Sequence, residues 1–207
     1  MKKTFSISIF FFVFSLSAQA PPPKVEELKE YYNSSFKKSP LLTYYYKDVN
    51  NYFAPFIGRW IYQNGNQTFV LRLWKVAQKP VYPDDPPKAY VDELRGHYKL
   101  VQNYGSANEQ TIYTSEINIG NSSTPWPTII MGNSPIRPYE MSGQIYDISQ
   151  PFSQARPLGI EGEFKMNINQ SNFNTATWRI KLPMGIYGTN QSTTFNIPTN
   201  ITLTKVN

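Results

Sequence analysis

A strict two-residue alternation over residues 158–168 constrains the fold of this chain more than any other feature. Leucine, isoleucine, phenylalanine and methionine side chains share one face, and Glu161, Glu163 and Lys165 lie on the other. This period places one face of a strand on a core and the other in solvent, as in an antiparallel sheet. Residues 176–182 repeat the pattern, so the alternation predicts a sheet rather than a single strand.

The rest of the chain reads as further strands joined by loops rich in turn residues. Asn64-Gly65-Asn66 is a tight-hairpin signal, and no long helical pattern intervenes to support a parallel sheet. The predicted fold class is all-β, an antiparallel up-and-down β-barrel of about eight strands, with a β-sandwich as the alternative. Closure is favoured because it leaves no unpaired sheet edge. The predicted strands are 59–63, 67–76, 95–102, 110–119, 141–148, 158–168, 176–182 and 195–206.

The segment before the barrel has a different character. Apolar residues recur at helical spacing from Val25 to Tyr32, so residues 24–32 are predicted to form a short helix. Tyr44-Tyr45-Tyr46 then belongs to an irregular aromatic lead-in that ends at residue 57. The predicted organisation is therefore a helix and lead-in over residues 21–57, followed by a barrel domain over residues 58–207.

Residues 1–20 have the order of a secretory signal peptide. Lys2 and Lys3 precede an apolar run that ends at Leu16, and Ala18-Gln19-Ala20 supplies the small residues of a cleavage site. The run is shorter than the ~20 residues that span a bilayer, so no transmembrane span is expected after cleavage. We expect an exported protein, periplasmic or secreted. With no cysteine in the chain, it cannot be a cysteine-anchored lipoprotein or contain disulfides.

A resemblance to a known family is carried by the start of the barrel. Residues 56–62, FIGRWIY, resemble the Gly-X-Trp start of the first strand in lipocalins and their calycin relatives. With the tail 195–205, the chain resembles an uncharacterised family of secreted lipocalin-like proteins of Flavobacterium-type bacteria, a domain of unknown function. In lipocalins the tryptophan packs at the closed barrel end under an arginine from a late strand. The resemblance implies that Gly58, Trp60 and Arg179 close the barrel, and it implies no activity.

The aromatic content favours a binding role. The chain has 15 tyrosines, 13 phenylalanines and 4 tryptophans, more than a core of this size hides completely. Arg72, flanked by apolar residues, either binds a ligand carboxylate inside the barrel or lies outside with its stem across Trp74. The outside position is favoured, because an unpaired buried charge is costly. Arg72, Trp74 and Tyr62 are the candidate ligand-binding residues.

Catalytic and metal sites are not predicted, and neither is a cofactor. His97 is the only histidine, and it is expected on one face of strand 95–102. Glu161 and Glu163 lie two apart beside Lys165, which favours solvated charges over a glycosidase carboxylate pair. Asp84-Asp85 lacks the further oxygen ligands that calcium needs. The net charge of +6 comes from singly scattered basic residues, so a nucleic-acid partner is not expected either.

Two functions remain open at this point. The leading expectation is an exported, non-catalytic barrel that binds a small apolar or amphipathic, lipophilic ligand. The alternative is a surface or secreted interaction module for glycans or a protein partner, acting through exposed tyrosines and the loops at 80–88 and 120–138. A sealed apolar cavity with one charged group would favour the first, and a lumen too full for ligand would favour the second. An enzyme on the same barrel would need two titratable groups converging in the lumen with perturbed pKa values.

Overall fold

A computed structural model gives the fold of the chain and describes residues 21–81, 87–118, 128–131, 137–149, 159–185 and 192–206. Within these residues the chain forms eleven strands and one short helix, α1 (Leu28–Tyr31). The strands are β1 (Lys24–Glu27), β2 (Tyr44–Lys47), β3 (Gly58–Asn64), β4 (Gln67–Pro80), β5 (Ala89–Gln102), β6 (Gln110–Thr114), β7 (Ile129–Met131), β8 (Glu140–Asp147), β9 (Ile160–Ile168), β10 (Thr175–Lys181) and β11 (Asn200–Val206).

Eight of the strands close into an antiparallel barrel. The order around the ring is β3-β4-β5-β7-β8-β9-β10-β11, and the ring is completed where β11 pairs with β3 at Thr204 and Ile61. β4 pairs with one edge of β5, and two strands share the other edge. β7 pairs with β5 at Arg95 and Gly96, and β6 pairs with β5 from Lys99 to Gln102. Because each strand lies beside the next one in the chain, the predicted up-and-down barrel is confirmed.

The alternation of apolar and polar residues in the sequence corresponds to an alternation of buried and exposed side chains in the barrel wall. The apolar residues of β9 are buried, whereas Glu161 and Lys165 are exposed. In β10, Trp178 and Ile180 are buried and Arg179 is exposed. The two strands pair in register and present their charged side chains on the same outer face.

The first hairpin of the barrel is the one that the turn residues predict. Asn64 pairs with Gln67, which leaves Gly65 and Asn66 as a two-residue loop. Gly65 has φ +60°, the left-handed region that glycine adopts at low cost. A positive φ at the first loop residue is typical of a type II′ turn, which matches the twist of the flanking strands.

The lead-in is packed and largely extended, which corrects the predicted helix. Residues 24–27 form β1, which runs parallel to β2, and β2 in turn runs parallel to the start of β5. The helix predicted over 24–32 is therefore confined to Leu28–Tyr31, because the backbone of residues 24–27 pairs with β2 in the sheet. The tyrosine triplet forms β2 rather than an irregular segment, with Tyr44 and Tyr46 buried.

Strands β4 and β5 are longer than the predicted ranges 67–76 and 95–102. Their extra residues pair with each other beyond the barrel wall and provide the edge that β2 joins. The β4–β5 register shifts between Val76 and Lys79, and Gln78 has φ +52°. Such a bulge bends the strand and leaves one residue out of the ladder.

Two predicted strand boundaries are wrong. The strand predicted over 110–119 ends at Thr114, and a separate short strand, β7, completes this part of the wall. The strand predicted over 195–206 begins only at Asn200. The backbone N–H groups of Asn196 and Ile197 donate instead to the buried Asp147 carboxylate, at 2.7 and 3.3 Å.

Large side chains fill the barrel interior. Trp60, Trp178, Phe69, Phe164 and Tyr98 are each no more than 2% exposed and belong to one continuous apolar cluster. Aromatic side chains of this size each bury about 150–250 Å² and dominate core energetics. The same cluster extends into the lead-in, so barrel and lead-in share a core.

Candidate functional site

The Gly-X-Trp motif lies at one end of the barrel, where the lead-in enters β3. Trp60 is fully buried and its indole Nε1 donates to the Phe56 carbonyl at 2.8 Å. The Lys205 ammonium lies 5.3 Å from the centre of the Trp60 ring and donates to the Pro55 carbonyl at 2.8 Å. Burial lowers the pKa of Lys205. This ammonium ties β11, β3 and the lead-in together.

The cation above the tryptophan is thus a lysine of the last strand, not Arg179. Arg179 is exposed on the outer face of β10, opposite in direction to the buried Trp178. Lys205 pairs directly across from Trp60, which explains its position. Gly58, at φ +123°, has the Lys205 side chain 3.3 Å from the place that a Cβ would occupy. The sequence signal for this lysine was its place in the closing strand, two residues before the end of the chain.

The interior of the barrel is packed ring against ring. Phe164 and Trp178 stack with centroids 5.0 Å apart, and Phe69 and Tyr98 stack at 5.8 Å. Tyr98 donates its hydroxyl to the Tyr146 carbonyl at 2.9 Å, and burial raises the pKa of this phenol. These contacts fill part of the barrel interior with the protein's own side chains.

The three candidate ligand residues do not converge. Tyr62 shares the inward face of β3 with Trp60 and packs against the core cluster. Arg72 is exposed on the outer face of β4. This position was expected, because burying an unpaired charge is costly. Trp74, on the same outer face, is half-buried with its ring 5.2 Å from that of His97.

A large cleft lies on the outer face of the barrel over β8, β9 and β10. We call it the outer cleft, and its volume is about 990 Å³. Ion pairs and hydrogen bonds cross its surface: Lys181 with Glu163 at 2.8 Å, and Gln144 with Glu161 at 3.0 Å. The polar and charged side chains that line the outer cleft are those of Ser142, Gln144, Glu161, Glu163, Lys165, Arg179, Lys181, Thr199 and Asn200.

Arg179 occupies the middle of the outer cleft. It pairs across the strands with Lys165 on one side and with Asn200 on the other. Lys165 is paired with Glu140 at 3.0 Å, whereas Arg179 forms no ion pair with any residue that the structure describes. A guanidinium has five N–H donors in a planar fork, so Arg179 can donate to hydroxyl or carboxylate oxygens of a ligand.

His97 lies on the outer face of β5 beside Ser115. A histidine and a serine occur together in hydrolase active sites, but this pair is not arranged for catalysis. Its Nδ1 is 3.3 Å from the hydroxyl of Ser115, and that oxygen accepts the Tyr98 N–H at 2.8 Å. Burial lowers the pKa of His97. Ser115 is fully buried, so its hydroxyl serves the backbone and has no access to a substrate.

Sequence reasoning missed a buried carboxylate cluster between the lead-in and the barrel. Asp92 of β5 accepts the Tyr45 hydroxyl at 2.6 Å, the Lys75 ammonium at 2.7 Å and the backbone N–H groups of Asp48 and Gln78. Asp48 accepts two backbone N–H groups of the following turn and lies 3.8 Å from Lys75. The two aspartates of the cluster are 44 residues apart in the chain, so no local motif reveals the cluster.

The electrostatics of this cluster favour a structural role. Burial raises the pKa of Asp92, but the hydrogen bonds from Lys75 and Tyr45 and from the backbone outweigh it, and the net shift is downward. Burial and the bond to Asp92 raise the pKa of Tyr45 to about 12. Asp92 is therefore a hydrogen-bonded carboxylate at neutral pH, and the cluster holds β2 and the turn after it against β4 and β5.

In the described ranges, no group of three or more histidine, aspartate or glutamate side chains is close enough to hold a metal ion. Asp84-Asp85 and residues 1–20, the predicted signal peptide, lie outside the described residues. Within the part of the chain that the structure covers, no helix has the length and apolar character to cross a membrane.

Comparison with known proteins gives a family but no activity. No curated protein and no solved structure matches the chain. Residues 1–206 match the Family of unknown function (DUF6705). The match covers nearly the entire chain, so the protein belongs to this family of unknown function.

Proposed function

We propose that this protein is an exported, non-catalytic interaction module that binds a carbohydrate-type ligand in the outer cleft. The observation that carries the proposal is the contrast between the two faces of the barrel wall. The inner face is filled by stacked aromatic side chains, whereas the outer face over β8–β10 has a cleft of about 990 Å³ lined by hydrogen-bonding groups. Pockets of roughly 300–1,000 Å³ are typical of small-ligand sites.

The lining of the outer cleft suits a polyhydroxylated ligand. Sugar hydroxyls donate to carboxylates such as Glu161 and accept from guanidinium and amide groups, here Arg179 and Asn200. Donors such as Arg179 and Lys181 and acceptors such as Glu163 lie on neighbouring strands of the outer cleft, so one ligand can satisfy both kinds of group. The apolar parts of the lining, which include Pro183 and the stems of the long side chains, can lie against the faces of sugar rings. The packed interior argues against a lipophilic ligand in the lumen.

The absence of catalysis is part of the proposal. The two glutamates of the outer cleft are engaged by Lys181 and Gln144 on an open surface. Catalytic carboxylate pairs in glycosidases flank the scissile bond with one member held protonated by its environment. Glu161 and Glu163 instead lie two apart on the same strand face, so they bind rather than cleave.

Export and ancestry complete the proposal. The order of charge, apolar run and small residues in residues 1–20 supports cleavage after Ala20 and a periplasmic or secreted product. The Gly58-Arg59-Trp60 start of β3 and the closed ring of eight strands support kinship with secreted lipocalin-like proteins of Flavobacterium-type bacteria.

Titration calorimetry of the exported protein against soluble polysaccharides tests this function. Neutral glucans, uronate-rich chains and sulfated chains form three separate arms. We expect saturable binding in at least one arm, and Arg179→Ala to weaken it roughly tenfold, since a hydrogen bond to a charged group is worth about 1.5–3 kcal/mol.

Arg72→Ala is the matched control, because Arg72 is an equally exposed arginine on the outer face, separated from β10 by β3 and β11. Its affinity should equal that of the unmodified protein. No binding in any arm, or an equal loss from both arginine variants, would overturn the assignment of the outer cleft.

A further inference from the structure

The exposed apolar side chains of this protein are concentrated in the lead-in. Leu41 is 91% exposed and Leu42 46%, and Val25 and Val49 are about half exposed. We propose that residues 36–44, the leucine loop, dock the protein on an anionic membrane surface, with Leu41 and Leu42 entering the lipid. Elsewhere in the described residues, large exposed apolar side chains occur singly on separate elements.

The tip of the leucine loop is held outward by its own hydrogen bonds. The backbone N–H of Ser39 donates to the Tyr44 hydroxyl at 2.8 Å, and the N–H of Leu42 donates to the Ser39 carbonyl at 3.3 Å. Pro40, with its φ fixed by the ring, occupies the turn before Leu41. Because the turn is already formed, insertion of the two leucines does not require the loop to be ordered first.

The base of the leucine loop is a rigid group of rings. Phe36 meets Tyr44 and Tyr46 edge to face at 6.0 and 6.3 Å, and Tyr44 and Tyr46 stack at 5.8 Å. The Lys38 ammonium lies 5.2 Å from the centre of the Tyr46 ring while remaining exposed. Because Tyr44 and Tyr46 are buried, these rings hold the base of the leucine loop in place, and the parts that can reach a membrane are its leucines and lysines.

The charge around the leucine loop is positive. Residues 31–47 contain Lys37, Lys38 and Lys47 and no acidic residue. All three lysines are exposed, and all three are within five residues of Leu42. Basic residues beside a small apolar insertion are the combination that binds anionic lipid, whose surface potential attracts each lysine.

A membrane fits this surface better than a folded partner. Two leucines at the tip of a narrow loop present too little area for a stable protein interface, which buries about 800 Å² on each side. A bilayer accepts such a tip because it imposes no shape on the inserted residues. The loop is on the lead-in, away from the outer cleft, so both surfaces can be occupied together.

The absence of cysteine from the chain allows a site-specific test. The exported protein is prepared as Leu41→Cys and, as a control, as Met184→Cys, a position that is 97% exposed outside the lead-in. Each is labelled with an environment-sensitive fluorophore. Vesicles contain either equal amounts of phosphatidylglycerol and phosphatidylcholine or phosphatidylcholine alone.

We expect a blue shift and a rise in emission at position 41, and no change at position 184, with the anionic vesicles only. Added salt should weaken the response, since the lysines act through a screened field. In sedimentation with the same vesicles, the double variant Leu41→Ser and Leu42→Ser should lose roughly tenfold or more in partitioning, because apolar insertion is removed.

Equal responses at both labelled positions, or unchanged sedimentation of the double serine variant, would overturn the proposal. Binding only to a polysaccharide and to no vesicle would overturn it as well, while leaving the outer cleft as the functional surface. Since the serine variant changes exposed side chains only, its polysaccharide affinity should match that of the unmodified protein, which separates this test from that of the outer cleft.

Discussion

Single side chains decide how the barrel is closed and where it is open to ligands. Trp60 joins the core, the lead-in and the last strand, because its ring contacts the Lys205 ammonium while its indole N–H serves the Phe56 carbonyl. Arg179, which lies on the other side of the wall, leaves its guanidinium to the solvent. The Lys205 ammonium is therefore held within the fold, whereas the Arg179 guanidinium is available to the ligand that we propose for the outer cleft.

Replacing Lys205 with Met should destabilise the fold by about 1–2 kcal/mol. The variant keeps the apolar stem but loses the charge over Trp60 and the hydrogen bond to Pro55, which are each worth about 1 kcal/mol. Urea denaturation followed by tryptophan fluorescence measures the free energy of unfolding. Arg179→Met, an exposed change, should stay within about 0.5 kcal/mol of the unmodified protein. A larger loss from Arg179→Met than from Lys205→Met would contradict this assignment.

Among the secondary-structure elements, the junction between the lead-in and the β4–β5 extension depends most on polar contacts. Asp92 collects four donors there, and one of them comes from the bulge at Gln78, where the ladder is interrupted. The carboxylate replaces the missing ladder contact and at the same time holds Tyr45 of β2. The Gln78 N–H, which the bulge leaves without a ladder partner, thus donates to the same carboxylate that binds the parallel strand β2 through Tyr45.

Removing this charge should loosen the junction. Asp92→Asn leaves Lys75 without its nearest anion, and breaking a buried pair in this way costs about 3 kcal/mol. Hydrogen exchange should show lost protection at the amides of Asp48 and Gln78, while β9 and β10 stay protected. Glu140→Gln removes a surface partner of Lys165 and should change stability by less than about 0.5 kcal/mol.

The cost of Asp92→Asn should also depend on pH. The pKa of Asp92 in the folded protein is below its ordinary value of 3.8, so its stabilising contribution is complete above that pH. As the pH falls through the lowered pKa, the carboxylate is protonated and the contribution is lost. The difference in unfolding free energy between the two proteins should therefore be full at pH 7 and shrink below pH 3.8. A difference that grows on acidification would contradict this role.

How well an element could be predicted depended on whether its cause was local. β9 and β10 follow from alternation alone, since one face of each is core and the other is solvent. The helix predicted over 24–32 failed because β1 is specified by its pairing with β2, about 20 residues away. Residues 195–199 were assigned to a strand, yet their N–H groups are taken by Asp147, 49 and 50 residues earlier. Such distant partners leave no local pattern.

At the level of the complete fold, the barrel class was accessible from the sequence and the candidate site, the outer cleft, was not. Alternating strands and the Asn64-Gly65-Asn66 turn specify an antiparallel meander, and closure follows from the cost of edges. The candidate residues Tyr62, Arg72 and Trp74 are split between the two faces of the wall, because alternation says which residues share a face but not which face is inside. The outer cleft combines side chains of β8, β9 and β10, whose relative register the alternation within a single strand does not give.

Native mass spectrometry tests whether the barrel is filled by its own side chains. A bacterial host expresses the full chain and exports the protein, whose mass is measured before and after organic extraction and after incubation with fatty acids. We predict one unchanged mass, that of a chain beginning at Pro21, since Phe164, Trp178 and their neighbours already occupy the interior. A discrete increment of one molecule per chain that extraction removes would contradict the packed interior and return the lumen to the position of binding site.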